Sequence, residues 1–191
     1  MKNLLKNVFV FSIAVVIGLS NINFASDFGA EGSQIEKEYT LEEMFKYGLE
    51  DEYLAKAEYE LIIENFDVNR PFTNILEAEK NHIAALEKLY ETYEFEKPEV
   101  NPDDYTLLPN SLEEAFETGV EAEIKNIEMY EKFLETDLPE DVRLTFEALN
   151  RASENHLKAF ERNVSSNQKN NSNIKSRQRG SRKKEVDGNI F

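Results

Sequence analysis

In four stretches between Thr40 and Phe160 apolar residues recur every three to four positions, the period of α-helices with one buried face. The first stripe is Leu41, Phe45, Gly48, Leu49, Ala55, Tyr59, Ile62, Ile63 and Phe66. Thr40 can cap the free N–H groups at its start, and Glu43 completes a capping box. Asp67-Val68-Asn69-Arg70 ends it. Pro71, which needs no N–H in a first turn, opens a second helix with the stripe Phe72, Ile75, Leu76, Ile83, Leu86, Leu89 and Tyr93. A third helix is predicted from Ser111, with a box to Glu114, to about Glu135. A fourth starts at Asp137, with Pro139 in its first turn and Glu140 closing a third box. It carries Val142, Phe146, Leu149, Ala152, Leu157 and Phe160. No stretch shows the two-residue alternation of a strand, so the fold class is all-α.

The connections set the expected architecture. Short loops make hairpins of the first and second helices and of the third and fourth. Residues 94–110, with Pro98, Pro102 and Pro109, show no period. A segment of that length can span about 56 Å, more than the roughly 33–37 Å of the helices. It can therefore run the whole length of a bundle, so that the second and third helices lie parallel.

The chain also repeats itself. Leu41, Glu42, Glu43, Phe45, Gly48, Glu50, Glu52 and Tyr59 return 71 positions later as Leu112, Glu113, Glu114, Phe116, Gly119, Glu121, Glu123 and Tyr130. Ala78-Glu79-Lys80-Asn81-His82 returns 74 positions later as Ala152-Ser153-Glu154-Asn155-His156. The expectation is a four-helix bundle made of two copies of one helical hairpin.

Composition bounds the rest. Lys2 and Lys6, the apolar run Val8 to Leu19 and the small residues after it read as a signal peptide over 1–25. Cleavage after Ser20 and after Ala25 are both compatible, and an uncleaved anchor is the alternative. The expected location is extracytoplasmic, secreted or in the cell envelope, with no membrane contact once the signal is cleaved. Residues 26–39 read as a linker, 40–163 as the bundle, and 164–191 as a polar, basic, disordered tail. The signal adds two positive charges and the tail a net five, so the chain's −16 leaves −23 on residues 26–163. Such a surface repels nucleic acid and attracts cations. Absence of cysteine removes disulfides, thiolate zinc sites and thiol nucleophiles together. Oligomeric state is left open, a dimer included.

Five candidate metal ligands fall where the stripes require apolar residues. Glu52 and Glu123 interrupt the first and third helices, Glu79 and His82 the second, and His156, with Ser153 a turn before it, the fourth. Each lies in the middle third of its helix. A buried carboxylate without a partner is costly. Three carboxylates and two imidazoles at one depth make sense around divalent metal, and a donor set without thiolate suits iron or manganese, and admits zinc. One Glu from each of two helices plus Glu-x-x-His from the other two is the carboxylate-bridged dinuclear pattern. The other reading is a structural polar core. Ser153 stands where symmetry would place a fourth carboxylate, and Glu154 is rotated from it by about 100°. Two divalent ions against three carboxylates leave one positive charge over, so the expectation is an asymmetric pair or a single ion near Glu79, His82 and Glu52. Tyr59 and Tyr130 lie on the same faces as Glu52 and Glu123, either orienting carboxylates or serving as core aromatics. Asn126 lies one turn after Glu123 and can hydrogen-bond or ligate weakly.

Glu52-x-x-Ala55-x-x-x-Tyr59 with Glu79-x-x-His82 is similar to the rubrerythrin pattern and resembles the ferritin-like superfamily. A closer resemblance is to domain of unknown function 2202. It is carried by Glu50-Asp51-Glu52-Tyr53-Leu54-Ala55-Lys56-Ala57-Glu58-Tyr59, Glu79-Lys80-Asn81-His82 and Ser153-Glu154-Asn155-His156-Leu157-Lys158-Ala159-Phe160. The resemblance covers about 40–163. It implies that serine before the last histidine is usual in that branch, and it lends no assigned activity. The functions in view are a di-metal oxidoreductase of ferroxidase or peroxidase type, a non-catalytic metal-binding module, and a structural or interaction bundle.

Overall fold

A computed structural model describes residues 27–34 and 38–187. The expected signal peptide lies outside the described residues. Those residues form helices α1 (Gly29–Gly32), α2 (Leu41–Phe66), α3 (Phe72–Thr92), α4 (Leu112–Leu134) and α5 (Glu140–Asp187), with a 3-10 turn at Pro102–Asp104 and no strand among them. No described helix is long and apolar enough to cross a membrane.

The starts of the helices follow from local chemistry, with two departures from expectation. Thr40 Oγ1 accepts from Glu43 N while the Glu43 carboxylate accepts from Thr40 N, which is the expected box. Ser111 caps Glu114 N, but the Glu114 carboxylate reaches back to Asn110 N, so the reciprocal half is displaced by one residue. Asp137 is not a cap. Arg143 N donates to Pro139 O, and α5 begins at Glu140 because a proline can flank the first turn without losing a donor. Arg143 then ties this corner down by donating to Leu134 O and Thr136 O at the end of α4.

Ring contacts show which ends of the helices meet. Phe45, early in α2, lies against Tyr90 and Tyr93 from the end of α3 and against Phe146 early in α5. Tyr130 and Phe133, late in α4, also touch Phe146. Beyond the middle of the bundle, Tyr59 meets Phe72 and Phe160, and Phe72 stacks on Phe116 early in α4. The connection from α3 to α4 begins with Phe95 beside Phe45 and reaches Leu107, whose backbone bonds Glu58 in the second half of α2. It therefore passes along α2 from one aromatic cluster towards the other.

These contacts divide the core into two apolar clusters. The first is built on Phe45, Leu49, Leu86, Tyr130, Phe133 and Phe146, the second on Tyr59, Ile62, Phe72, Phe116 and Phe160. Burial of this apolar surface drives the helices together. The repeated glycines mark close approaches. A Cβ on Gly48 would stand 3.2 Å from Tyr130 Oη, and one on Gly119 would stand 3.0 Å from the Phe160 ring.

Two terminal segments differ from the sequence expectations. Residues 27–34, read as linker, dock on the bundle: Phe28 and Ala30 are buried, and Phe28 stacks on Tyr105 of the crossover. At the other end the α5 backbone stays helical to Asp187, through the stretch expected to be disordered. The composition of 164–187 denies it a packed core, but its lysines, arginines, glutamines and glutamate are good helix formers and no proline interrupts them.

Candidate metal centre

Between the two apolar clusters lies one polar layer. Glu52 from α2, Glu79 and His82 from α3, Glu123 from α4 and His156 from α5 converge there, as the interrupted stripes require. Glu52, Glu79 and Glu123 are 2%, 3% and 4% exposed, so these are interior carboxylates rather than a solvated face.

Their geometry resolves into two triads, Glu52–Glu79–His82 and Glu79–Glu123–His156, in each of which one donor atom per residue lies within 4.8 Å of the others. Glu79 belongs to both. Its Oε2 lies 2.7 Å from His82 Nδ1, and its Oε1 lies 3.3 Å from His156 Nδ1. Glu52 Oε2 completes the first triad 3.1 Å from His82 Nδ1, and Glu123 Oε1 the second 3.4 Å from His156 Nδ1. The two imidazoles lie nearly parallel, with ring centres 5.7 Å apart.

The tyrosines act on the carboxylates, and they do so crosswise. Tyr59 of α2 donates to Glu123 Oε1 on α4 at 3.0 Å, and Tyr130 of α4 donates to Glu52 Oε1 on α2 at 2.9 Å. Burial, with the neighbouring carboxylates, raises both phenol pKa values well above normal, so each hydroxyl keeps its proton and remains a donor. Each leaves the other oxygen or lone pairs of its carboxylate open. This is how residues around a metal site orient its ligands.

Where symmetry would place a fourth carboxylate there is instead a hydrogen-bonded chain. Ser153 Oγ donates to Asn126 Oδ1 at 2.6 Å, and Asn126 Nδ2 donates to Asp51 Oδ2 at 2.5 Å. Asp51 Oδ1 in turn accepts from Ala30 N at 2.8 Å in the docked N-terminal segment, beside the bond from Gly29 N to Glu50 Oε2. Asn126 thus uses both ends of its amide in hydrogen bonds. Glu154 points outward and pairs with Lys158. Sequence reasoning missed Asp51, since its partners come from α1 and from Asn126 of α4 rather than from the stripe of its own helix.

The protonation pattern is that of an overcharged interior site. Burial pushes Glu52 and Glu123 up, and Asp51 up to about 7, against the hydrogen bonds that Asp51 accepts. Burial opposes the charge of Glu79 too, but its close contacts with both histidines hold it below the ordinary carboxylate value. Burial alone would lower the two histidines. Their contacts with Glu52 and Glu79 hold His82 up at about 10, and contacts with Glu123 and Glu79 hold His156 up at about 9.

The donor set fits a divalent cation. Three buried carboxylates beside two imidazoles have an excess of negative charge that protons on the rings only partly neutralise. His156 Nδ1 is also buried without a hydrogen-bond partner: it lies at ion-pair distance from two carboxylates and is aligned with neither. A small void of about 10 Å³ lies amid Glu52, Glu79, Glu123 and Ser153, with Ala55, Tyr59 and Ala122 also in its lining. Buried Glu and His groups here can therefore hold metal.

Residues 42–183 match the family model described as an uncharacterized protein domain, DUF2202. The crystal structure of a hypothetical protein from Methanococcus jannaschii DSM 2661 is similar over 69% of this chain and 85% of that one, with 25% sequence identity and a TM-score of 0.58. No curated protein matches the chain.

Proposed function

This chain belongs to the uncharacterized DUF2202 family, and we propose that it is an exported, ferritin-like four-helix bundle that binds a pair of divalent ions, iron or manganese. The observation that carries the reading is the division of Glu79 between two triads, one oxygen towards each histidine. Glu79 would be shared between two cations, Glu52 and His82 would help to hold one, and Glu123 and His156 the other. The hairpin contacts and the crossover along α2 support the ferritin-like arrangement. Zinc fits the same donors.

When bound, an iron or manganese pair supplies one-electron redox chemistry towards dioxygen or peroxide; ferrous ion as a substrate is the ferroxidase variant. The residues of this chain hold the ions and set their surroundings. Tyr59 and Tyr130 fix the orientation of Glu123 and Glu52. The apolar clusters on either side exclude bulk water, and the acidic exterior raises the local concentration of cations. Ser153 in place of a fourth carboxylate leaves the site with three anionic ligands and so short of neutrality against two divalent ions.

The test is element-resolved metal analysis after anaerobic reconstitution with ferrous ion, followed by exposure to air. A stoichiometry near two per chain, with rapid oxidation and an oxo-bridge absorption band, supports the redox reading. Two retained ions without oxidation reduce it to a metal-binding module. The second reading, a structural bundle, draws on the histidine–carboxylate contacts, which partly neutralise the layer without metal; loss of all metal on dialysis would favour it.

A further inference from the structure

In this acidic bundle, a groove between the start of α3 and the middle of α5 has no carboxylate in its lining. It has a volume of about 420 Å³ and is lined by Arg70, Asn74, Asn155, His156, Arg162 and Asn163, among others. Residues 40–163 contain four arginines: Arg70, Arg143, Arg151 and Arg162. Arg143 is committed to backbone carbonyls, whereas two of the other three border this groove. In a chain so rich in carboxylates, neither guanidinium enters an ion pair or hydrogen bond among the described residues.

His156 forms the inner wall of the groove and belongs to the second triad at the same time. Its Nδ1 is turned inward to Glu79 and Glu123, so the opposite edge of the ring is what it can offer the groove. Asn163 spends its Nδ2 on Ala159 O, which leaves its carbonyl oxygen. The Asn74 and Asn155 side chains make no hydrogen bond among the described residues. The groove therefore gathers two unpaired guanidiniums, two free amides and an imidazole edge. Guanidinium donors in a fork match the oxygens of carboxylates and phosphates, and a shared anion is the charge partner that would hold two of them together.

We propose that this groove is a binding site for a small oxyanion, phosphate or a short organic carboxylate, gripped by Arg70 and Arg162 beside His156. The site stands on the groove and not on the metal. If the two divalent ions proposed above are present, an anion here adds the negative charge that Ser153 does not provide.

The test uses the full-length, metal-free protein, titrated calorimetrically with inorganic phosphate and separately with acetate at constant ionic strength, while the His156 ring signals are followed by NMR. Saturable binding is expected, with the His156 signals moving in step. Arg70→Gln and Arg162→Gln should each weaken it about tenfold or more, the effect of removing one charged hydrogen-bonding partner. Arg151→Gln, on the same helix but outside the groove, should leave it unchanged. The stronger of the two titrants identifies the ligand class. Binding that survives both groove substitutions belongs to the basic residues of the C-terminal segment and overturns the proposal, as does an absence of saturable binding by either anion. Since no metal is present, failure of the metal reading would leave this result standing, and the reverse.

Discussion

Tyr59 on α2 donates its hydroxyl hydrogen to Glu123 on α4 at 3.0 Å, and the repeat-related Tyr130 returns the same bond to Glu52. The two repeat-related helices α2 and α4 thus exchange hydrogen bonds across their interface. Each helix depends on the other for the orientation of its carboxylate.

Removing one of these hydroxyls tests that dependence. Tyr59→Phe and Tyr130→Phe preserve the ring packing and delete a hydrogen bond to a charged group, so each is expected to cost about 1–3 kcal/mol of stability. Metal affinity should fall about 10- to 100-fold, as for other loss of support around a ligand. Chemical denaturation and competitive metal titration measure the two effects. A change in stability alone would make the tyrosines core aromatics and nothing more.

Substitutions in the triads should have unequal effects on stoichiometry. Glu79→Gln removes the ligand common to both and is expected to abolish tight metal binding. Glu52→Gln and Glu123→Gln each spare one triad, so about one ion per chain should remain. Metal analysis after gel filtration reads this directly. The shared role of Glu79 is refuted if its variant retains as much metal as the other two.

The raised histidine values predict a pH dependence. Below about 9–10 the metal-free protein carries protons on His156 and His82. A metal ion ligated by the rings must displace those protons. Binding at pH 7 should therefore release about one proton per histidine, detectable with an indicator dye in weak buffer, and affinity should rise with pH up to that range. The sign for stability without metal is opposite: because the folded values exceed the unfolded one, this contribution is fully present below the unfolded value of about 6.5 and fades as pH climbs through 9–10. A metal affinity independent of pH between 6 and 8 would contradict protonated rings.

The glycine pair should tolerate no side chain. Gly119→Ala places a Cβ 3.0 Å from the Phe160 ring, and Gly48→Ala places one 3.2 Å from Tyr130 Oη, which cannot retreat without loosening its bond to Glu52. Alanine would favour the helix by about 1 kcal/mol, but crowding of about 1–3 kcal/mol should outweigh it. Both variants are expected to unfold at lower denaturant concentration; a stabilised Gly119→Ala would mean that Phe160 has room to move.

Much of this was legible in the residues because both helices and ligands are written with a period. A polar residue on an apolar stripe, at mid-helix and in repeated sequence, has to face the interior, and Glu52, Glu79, His82, Glu123 and His156 all do. Asp51 was not legible. It lies about 100° around α2 from Glu52, a direction whose surroundings are decided by α1 and by Asn126 of α4. The caps at Asp137 and Glu114 were misjudged for a local reason: a capping motif names residues able to cap, while the geometry of the preceding turn selects the one that does.

The sequence by itself determined the helices and the face on which each candidate ligand lies, since these follow from spacing along a single chain. Only the tertiary structure decided how the faces share their contents. Packing through space divides Glu79 between two histidines, crosses Tyr59 to Glu123 and Tyr130 to Glu52, and fills the place of the missing carboxylate with the chain Ser153–Asn126–Asp51–Ala30. Periodicity fixes direction about one helix axis. Partnership depends on the distance between axes, and that is set by side chains from every helix at once.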